Sequence, residues 1–388
     1  MIEKIGKVTI NLNYYNGIDA YTDGEVEDEL LEIVKKENTD IEEIISKSNK
    51  WPITYHLSKT RHNILEWYNF GENKTVLEVG SGCGAITGLF SRKAKKVVAV
   101  EISKKRSLIN AYRNKNCENL EIFVGNLNDI KLEEKFDYIT LIGVFEYSRG
   151  FTVSEKPEID FLNKLKQYLK PDGKIIIAIE NKFGLKYWAG ALEDHTAVLF
   201  DGIQGYLNTE KIATYSKTEL EDILKKVDLS EIEFYYPFPD YKMSNMIYSE
   251  NYLPEIGDLR GLIHNYDMNR YVFFNEGIVY DQLIKDKNME KFSNSFLVIA
   301  KRNHKINEIS EIKEIKEKIA RPCTEFETKN FDYDDENKVS WIGRVFLCKE
   351  NEVEERPKDN KGKTMYPLAQ FYLANLPYLP EALKKFEY

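Results

Sequence analysis

The sequence of 388 residues predicts an α/β fold, with a doubly wound, largely parallel sheet covered by helices on both faces. Apolar runs of strand length alternate with amphipathic stretches of helix length from residue 75 onward. Several of these runs are apolar on both faces, which is typical of buried parallel strands. The first run leads into residues 80–84 (G-S-G-C-G), whose glycines permit a sharp turn into a helix and bring a ligand close to bare backbone. The turn therefore predicts a ligand site at the end of the first strand.

Residues 1–70 predict a helical N-terminal extension that flanks the sheet. After a short extended start, residues 23–36 place their apolar side chains on one face of a helix. Thr39 and Glu42 have the spacing of a capping box, which predicts the start of a second helix. A third helix is expected over residues 58–69.

Strands and helices then alternate in a predicted domain over residues 71–302. Strands are expected at residues 75–79, 96–101, 120–124, 136–143, 174–180, 231–236 and 296–300. Helices are expected at residues 86–94, 103–114 and 160–169, and after a capping box formed by Ser216 and Glu219. Two insertions, 181–215 and 237–295, are longer than structureless loops in compact domains usually are, so we assign them to substrate binding.

Residues 303–388 predict a small C-terminal extension without an assigned role. It begins with a charged helix in which isoleucines recur from Ile306 to Ile319, a pattern typical of a docking face. A strand is expected over residues 341–348, and an aromatic segment follows over residues 365–388.

Composition restricts the class of protein. The formal net charge of −9, with both signs interspersed, disfavours nucleic acid as a partner. The four cysteines show no C-x-x-C spacing and are expected to be reduced thiols. No leader-like or membrane-spanning apolar segment is visible, so we expect a cytoplasmic protein. The sequence does not indicate its oligomeric state. No His, Cys and Asp cluster has metal-ligand spacing, so no metal is expected.

Three polar side chains around the glycine turn identify the ligand. Glu78 precedes the first glycine by two residues, and Glu101 ends the second apolar run, where a carboxylate can accept hydrogen bonds from both ribose hydroxyls. Asn126 follows the third run, where it can meet an adenine amino group. Dinucleotide folds usually show G-x-G-x-x-G, whereas this turn is G-x-G-x-G after an acid. The combination favours S-adenosylmethionine as the cofactor.

On these residues, and on F-D-Y-I-T-L-I-G-V-F-E-Y over residues 136–147, the chain from about 51 to 302 resembles the class I S-adenosylmethionine-dependent methyltransferases. The resemblance implies a Rossmann-like sheet of seven strands, with the last one antiparallel between the fifth and sixth. Asn126 stands where that family usually has Asp. By the same resemblance the cofactor would be held by Glu78, Gly80, Ser81, Gly82, Cys83 and Gly84 at its methionine half and by Ile102 and Leu127 around its adenine.

A narrower resemblance lies in A-I-E-N-K-F-G-L-K-Y-W-A-G-A-L-E-D-H-T (178–196), F-D-G-I-Q-G-Y (200–206) and Y-Y-P-F-P-D-Y-K (235–242). These segments are similar to a bacterial methyltransferase group that accompanies glycosyltransferases in cell-surface polysaccharide clusters. The similarity implies a sugar or glycan intermediate as acceptor and a possible glycosyltransferase partner. No glycosyltransferase domain is visible in the sequence.

Methyl transfer to a sugar hydroxyl calls for a base, because a neutral hydroxyl is a poor nucleophile. His195 is the leading candidate, since it follows the fifth predicted strand and Asp194 lies beside it. The alternative is that His195 caps a loop or contacts substrate without titrating. Glu146, at the exit of the fourth predicted strand, is the second candidate, and its alternative role is to order that loop.

Aromatic side chains in and next to the insertions are candidates for substrate binding. Several of them could offer stacking faces to a sugar ring, or they could be the core of the insertions: Tyr187, Trp188, Tyr206, Tyr235, Tyr236, Phe238 and Tyr241. Asp194 is a further candidate for substrate binding. Before the glycine turn, His56 is expected at the pocket mouth and His62 on an exposed helix face.

The sequence thus favours an S-adenosylmethionine-dependent O-methyltransferase that acts on a surface-glycan sugar or its lipid-linked or nucleotide-linked precursor. Two alternatives stay open, a cofactor-binding scaffold of a glycan-assembly complex and a small-molecule methyltransferase of a biosynthetic cluster. A nicotinamide-dependent sugar oxidoreductase is disfavoured by the glycine spacing.

Overall fold

A computed structural model describes residues 1–19, 22–207, 209–261 and 270–302, and the backbone of one further strand. The strands are β1 (Ile2–Ile5), β2 (Val8–Tyr14), β3 (Thr75–Val79), β4 (Lys96–Glu101), β5 (Leu120–Gly125), β6 (Phe136–Ile142), β7 (Leu169–Glu180), β8 (Glu231–Phe238), β9 (Met246–Ser249), β10 (Ser295–Lys301) and β11 (Phe346–Cys348). The helices are α1 (Val26–Lys35), α2 (Ile41–Lys47), α3 (Trp51–Leu57), α4 (Asn63–Glu66), α5 (Thr87–Lys93), α6 (Lys104–Arg113), α7 (Ser148–Phe151), α8 (Pro157–Gln167), α9 (Leu185–Trp188), α10 (Lys217–Lys226), α11 (Glu276–Lys285) and α12 (Met289–Phe292).

All strands belong to one sheet, in the order β1-β2-β5-β4-β3-β6-β7-β10-β8-β9-β11. β3 to β7 pair in parallel, and β10 lies antiparallel between β7 and β8. This order confirms the predicted seven-stranded sheet of class I methyltransferases. From β3 the chain first forms β4 and β5 on one side of that strand and then crosses to form β6 and β7 on the other side. The switch point of the sheet therefore lies at the end of β3.

The central strands are buried on both faces, which explains their apolar sequence. Alternate residues of β3 point to opposite sides, so that Val76 packs in one core and Leu77 in the other. The run of isoleucines in β7 divides in the same way, with Ile177 in one core and Ile176 in the second. Helices on the two faces are therefore required to cover the sheet.

The first 70 residues contain strands as well as helices. β1 and β2 form a hairpin, and β2 pairs in parallel with β5 at the edge of the sheet. The cap of α2 is Asp40 rather than the predicted Thr39, because the Asp40 carboxylate accepts the Glu43 backbone N–H at 3.0 Å. The predicted third helix is shorter than expected, a 3₁₀ turn (Lys59–His62) followed by α4, and α3 precedes it.

The later predictions have mixed outcomes. The capping box of Ser216 and Glu219 is confirmed at the start of α10. β11 lies within the strand predicted over residues 341–348, whereas the predictions for residues 306–319 and 365–388 lie outside the described residues. Across the described ranges, none of the helices combines the length and the apolar character needed to cross a bilayer.

Candidate functional site

A cavity of about 400 Å³ opens at the carboxyl edge of the central strands. Its wall includes Gly80 after β3, Glu101 at the end of β4, Gly125 at the end of β5, Gly143 after β6 and Glu180 at the end of β7. Doubly wound sheets bind their ligands at this edge, beside the switch point. We call residues 80–84 with Glu101 the glycine end of the cavity.

The glycine end is shaped by backbone conformation. Gly80, Gly82 and Gly84 have φ angles of 67°, 53° and 75°, in the left-handed region that favours glycine. A β-carbon on Gly80 would lie 2.5 Å from the Val144 side chain, and one on Gly84 would lie 2.3 Å from the Asn110 side chain. Side chains are therefore excluded at both positions by close packing.

Glu101 is held against the glycine turn by backbone donors. The Gly82 N–H donates to its Oε2 at 2.8 Å, and the Ser103 N–H donates to its Oε1 at 2.9 Å. Burial raises the pKa of Glu101, and the hydrogen bonds from these two N–H groups oppose that effect. A carboxylate fixed at the cavity wall in this way is suited to accept hydrogen bonds from a ribose.

Glu78 lies in a buried network beneath the same turn. The Thr87 hydroxyl donates to Glu78 Oε2 at 2.6 Å, and the Asn110 amide donates to Thr87 and to Ser81 at 3.0 and 3.2 Å. Burial raises the pKa of Glu78 to about 8. The network ties β3 to the first turn of α5 and to α6, so it fixes the position of the glycine end.

Most of the predicted cofactor residues meet in the cavity. Those in its wall are Glu78, Gly80, Ser81, Gly82, Cys83, Glu101, Ile102, Asn126 and Leu127. Gly84 is not part of the described wall, because it packs against Asn110 behind the turn.

The opposite end of the cavity is built from side chains, and we call Glu146, Glu180, His195 and Lys242 the carboxylate end. Glu146 lies in a 3₁₀ turn (Phe145–Tyr147) after β6, and Glu180 is the last residue of β7. His195 Nε2 lies 3.5 Å from Glu146 Oε1 and 3.9 Å from Glu180 Oε2. His195 Nδ1 lies 2.9 Å from Glu193 Oε1. The imidazole is thus surrounded by the carboxylates of Glu146, Glu180 and Glu193, and it is buried together with them.

This arrangement changes the interpretation of His195. Burial disfavours the imidazolium form, but the hydrogen bonds with Glu146 and Glu193 outweigh it and raise the pKa of His195 well above its ordinary value. Burial likewise raises the pKa of Glu146, and His195 opposes that effect. The neighbouring carboxylates therefore stabilise the imidazolium form of His195.

Two lysines balance further buried carboxylates. Lys242 pairs with Glu180 Oε1 and lies 2.9 Å from Asp194 Oδ1, and Lys186 lies 2.8 Å from Asp194 Oδ2. Both lysines also approach Asp240. Burial raises the pKa of Asp194, but the two ammonium groups outweigh it and hold that pKa well below its ordinary range. The carboxylate end is therefore ionic, although it is buried.

Two of the predicted substrate residues support the cavity from behind. Asp194 is in the wall, whereas Tyr187 and Tyr206 are buried outside the described wall, where neither ring offers a free stacking face. The Tyr187 hydroxyl binds Asp194, and the Tyr206 hydroxyl donates to Glu193 at 3.0 Å. Trp188 is 41% exposed and also lies outside the described wall.

Tyr55, Tyr147 and Tyr241 are in the cavity wall. Tyr241 is one of the aromatic candidates from the sequence, whereas Tyr55 and Tyr147 are not. The candidates Tyr235, Tyr236 and Phe238 are buried outside the described wall. His56 is in the wall as expected, with its Nε2 2.7 Å from Asp23. His62 is half-buried rather than exposed. Burial, and next to it the positive charge of Arg92, lowers the pKa of His62 to about 3.

The sequence interpretation also missed Glu180, Lys242 and Arg61. Arg61 donates to the Lys242 carbonyl oxygen at 2.9 Å, across 181 positions of the chain. A signal for Glu180 was present, because an acid ends the apolar run of β7 as Glu101 ends that of β4. The sequence offered no comparable pattern for Lys242 or Arg61.

Comparison with known proteins gives one family match. A family model for a methyltransferase domain matches residues 53–233, which include the glycine end and all of the carboxylate end except Lys242. (S)-Coclaurine N-methyltransferase of Thalictrum flavum subsp. glaucum is 26% identical over 110 residues, which cover 27% of this chain and 28% of that enzyme. The mitochondrial ubiquinone biosynthesis O-methyltransferase of Dictyostelium discoideum is 30% identical over 134 residues, which cover 31% of this chain and 40% of that enzyme. The chain thus covers less than half the length of either relative.

Solved structures also resemble this fold. Phosphoethanolamine N-methyltransferase 1 of Haemonchus contortus, in complex with phosphoethanolamine and S-adenosylhomocysteine, is 13% identical with a TM-score of 0.39, covering 76% of this chain and 55% of its own. The CcbJ methyltransferase of Streptomyces caelestis is 14% identical with a TM-score of 0.38, covering 63% of this chain and 90% of its own.

Proposed function

We propose that this chain is a class I S-adenosylmethionine-dependent methyltransferase that methylates an oxygen of a sugar or cell-surface glycan intermediate. The family match and the strand order support the class and the cofactor. The observation that carries the proposal is a single cavity that joins the glycine end to Glu146 and His195. Methyl transfer needs such a cavity, because donor and acceptor must be held in line and away from water.

The residues at the glycine end fit the cofactor. Val144 already occupies the space that a side chain on Gly80 would take, so the turn packs closely there and would present its backbone to a ligand. Glu101 would accept hydrogen bonds from the ribose hydroxyls, and Asn126 and Leu127 would contact the adenine. When bound, S-adenosylmethionine supplies a methyl group already activated on a sulfonium.

The residues at the carboxylate end suit a hydroxyl acceptor. Glu146 Oε2 is buried and has no hydrogen-bond partner among the described residues, so it is available to accept a proton from an acceptor hydroxyl. His195 holds the other oxygen of Glu146. Tyr55, Tyr147 and Asp194 line the same cavity, and their polar groups suit a ring with several hydroxyl groups. The resemblance over residues 178–196 to the polysaccharide-cluster group supports the same acceptor class.

The cofactor half is tested by calorimetric titration of the full chain with S-adenosylmethionine. We expect binding by the parent and roughly tenfold to hundredfold weaker binding by Glu101→Ala, because charged hydrogen bonds are lost. Glu121→Ala, on the neighbouring strand β5, removes the same charge outside the cavity wall and should bind like the parent. Failure of the parent to bind would overturn the proposal.

The acceptor half is tested by methyl transfer to a panel of nucleotide sugars, glycolipid intermediates and small amines. Hydroxyl acceptors should be methylated, and Glu146→Gln should retain cofactor affinity while turnover falls about 10²-fold to 10⁴-fold. His195→Gln should also lower turnover, because Glu146 loses its partner. Methylation of amines alone would contradict an oxygen acceptor. Cofactor binding without turnover on any acceptor would favour the scaffold alternative.

A further inference from the structure

We propose that Glu146, Glu180 and His195 form a binding site for a divalent cation at the carboxylate end of the cavity. One oxygen or nitrogen atom from each of these side chains lies within 4.8 Å of the others. The distances from His195 Nε2 to the carboxylate oxygens of Glu146 and Glu180 are 3.5 and 3.9 Å. Ligand atoms about 2.0–2.2 Å from one cation lie roughly 3–4 Å apart, so the three groups need to move little to share it.

A buried oxygen without a partner points to the missing ligand. Glu180 is completely buried, and its Oε2 has no hydrogen-bond partner among the described residues. Its Oε1, in contrast, is held by Lys242 and by the Tyr241 hydroxyl, which lies 3.2 Å away. These contacts fix the carboxylate with Oε2 directed towards His195. A buried carboxylate oxygen without a partner is unfavourable, and a cation would satisfy it.

The imidazole is oriented as metal-binding histidines commonly are. Glu193 Oε1 lies 2.9 Å from His195 Nδ1, and Glu193 Oε2 accepts the backbone N–H groups of His195 and Thr196, both at 2.7 Å. Glu193 therefore holds the Nδ1 side of the ring and leaves Nε2 towards Glu146 and Glu180. A carboxylate on the second ring nitrogen fixes both the tautomer and the direction of a histidine ligand.

The local charges leave room for a cation. Lys186 and Lys242 pair with Asp194 and Asp240, and Lys242 also pairs with Glu180. With Glu146 and Glu193 beside the imidazole, five carboxyl groups share the two lysines and His195. Buried charges are stable when they are paired or coordinate a metal.

The ligand set indicates which cations the site prefers. Two carboxylates and one imidazole suit Mn²⁺, and the imidazole also makes Zn²⁺ a competitor. Because all three residues are in the cavity wall, the open coordination positions would face the acceptor and could bind its hydroxyl oxygens. This use of the cation rests on the proposed function, whereas its binding does not. The sequence predicted no metal because these residues lie far apart along the chain.

The site is tested with Mn²⁺ alone, added to the full chain after treatment with EDTA and removal of the chelator. Electron paramagnetic resonance of free Mn²⁺ should reveal one bound ion per chain without cofactor or acceptor. Glu180→Gln and His195→Gln should each weaken this binding by about tenfold or more. Glu221→Gln, a partly exposed residue of α10 that pairs with Lys225, is the matched control and should bind like the parent.

A second measurement does not depend on the folding of a variant. Electron spin echo spectroscopy of Mn²⁺ on the parent should show coupling to the nitrogen of a coordinated imidazole. Absence of that coupling, absence of binding, or equal binding by both ligand variants and the control would overturn the cation site. Mn²⁺ binding with imidazole coupling by a protein that fails to bind S-adenosylmethionine would support the cation site while overturning the proposed function, so the two failures are distinguishable.

Discussion

At the glycine end of the cavity Gly80 is in the wall and close packing against Val144 excludes a side chain on it, whereas the carboxylate end presents the side chains of Glu146, Glu180 and His195. A backbone wall depends on conformation and tolerates many neighbouring sequences. A wall of side chains depends on which residues occupy it, so it can differ between proteins of the same fold. The difference agrees with the proposed function, in which the glycine end would hold the shared cofactor and the carboxylate end the individual acceptor.

The two ends also hold their buried acids differently. At the glycine end burial dominates and raises the pKa of Glu78 to about 8. Beside the carboxylate end burial is outweighed by Lys186 and Lys242, which hold the pKa of Asp194 well below its ordinary range, although burial raises the pKa of Glu146. Ion pairs with lysines are therefore a feature of the carboxylate end, whereas Glu78 beneath the glycine end has no lysine partner among the described contacts.

Removal of a lysine from the carboxylate end is expected to have the largest effect. Lys242→Met leaves Glu180 and Asp194 buried without one of their ammonium partners, which should lower the free energy of unfolding by about 3–5 kcal/mol. Urea denaturation of the parent and the variant measures the change. Lys225→Met, which removes an exposed partner of Glu221, should leave stability unchanged. Equal stability of the two variants would contradict an ionic carboxylate end.

At the glycine end a pair of alanine variants separates conformation from close packing. Gly80→Ala and Gly82→Ala both place a side chain at positive φ, which costs about 1–2 kcal/mol. At Gly80 the added carbon would also lie 2.5 Å from Val144, whereas at Gly82 it meets no described atom within 4 Å. Gly80→Ala should therefore lose about 1–3 kcal/mol more stability than Gly82→Ala.

Urea denaturation without cofactor measures this difference, and calorimetric titration with S-adenosylmethionine follows the binding site. Gly80→Ala should bind the cofactor more weakly than Gly82→Ala, because Val144 and the turn must move apart. Equal losses in the two variants would mean that backbone conformation alone defines the glycine end.

The sequence predicted which residues meet at the glycine end because they lie close together along the chain. The first strand of the pattern, its glycine turn and the acid at the end of the next strand all lie within about thirty residues, and each has a distinct sequence pattern. The same signal was available for Glu180, which ends the apolar run of β7 as Glu101 ends that of β4.

The carboxylate end was only partly predictable because distant segments build it. Lys242 meets Glu180 across 62 positions and Arg61 across 181, and nothing in the sequence pairs them. Composition also could not distinguish an aromatic ring in the cavity wall from one behind it. Tyr241 is in the wall, whereas Tyr206 supports Glu193 from behind.

The smallest expected effect concerns the pH dependence of stability at the glycine end. Glu78 has a pKa of about 8 in the folded protein, against an ordinary value of 4.5, because burial disfavours its charged form. Between these values the folded protein holds one more proton than the unfolded chain, so stability falls as pH rises through this range. The slope from this group is at most about 1.4 kcal/mol per pH unit.

Glu78→Gln removes the titrating carboxyl group and should flatten the pH dependence of stability. The amide oxygen of the new side chain can still accept the hydrogen bond from the Thr87 hydroxyl. Urea denaturation of the parent and the variant at pH 6 and pH 7.5, without cofactor, compares the two slopes. The parent should lose more stability than the variant over this interval, because only the parent must ionise a buried carboxyl group. Parallel slopes would mean that Glu78 is already ionised at pH 6, and the glycine end would then resemble the carboxylate end in storing buried charge.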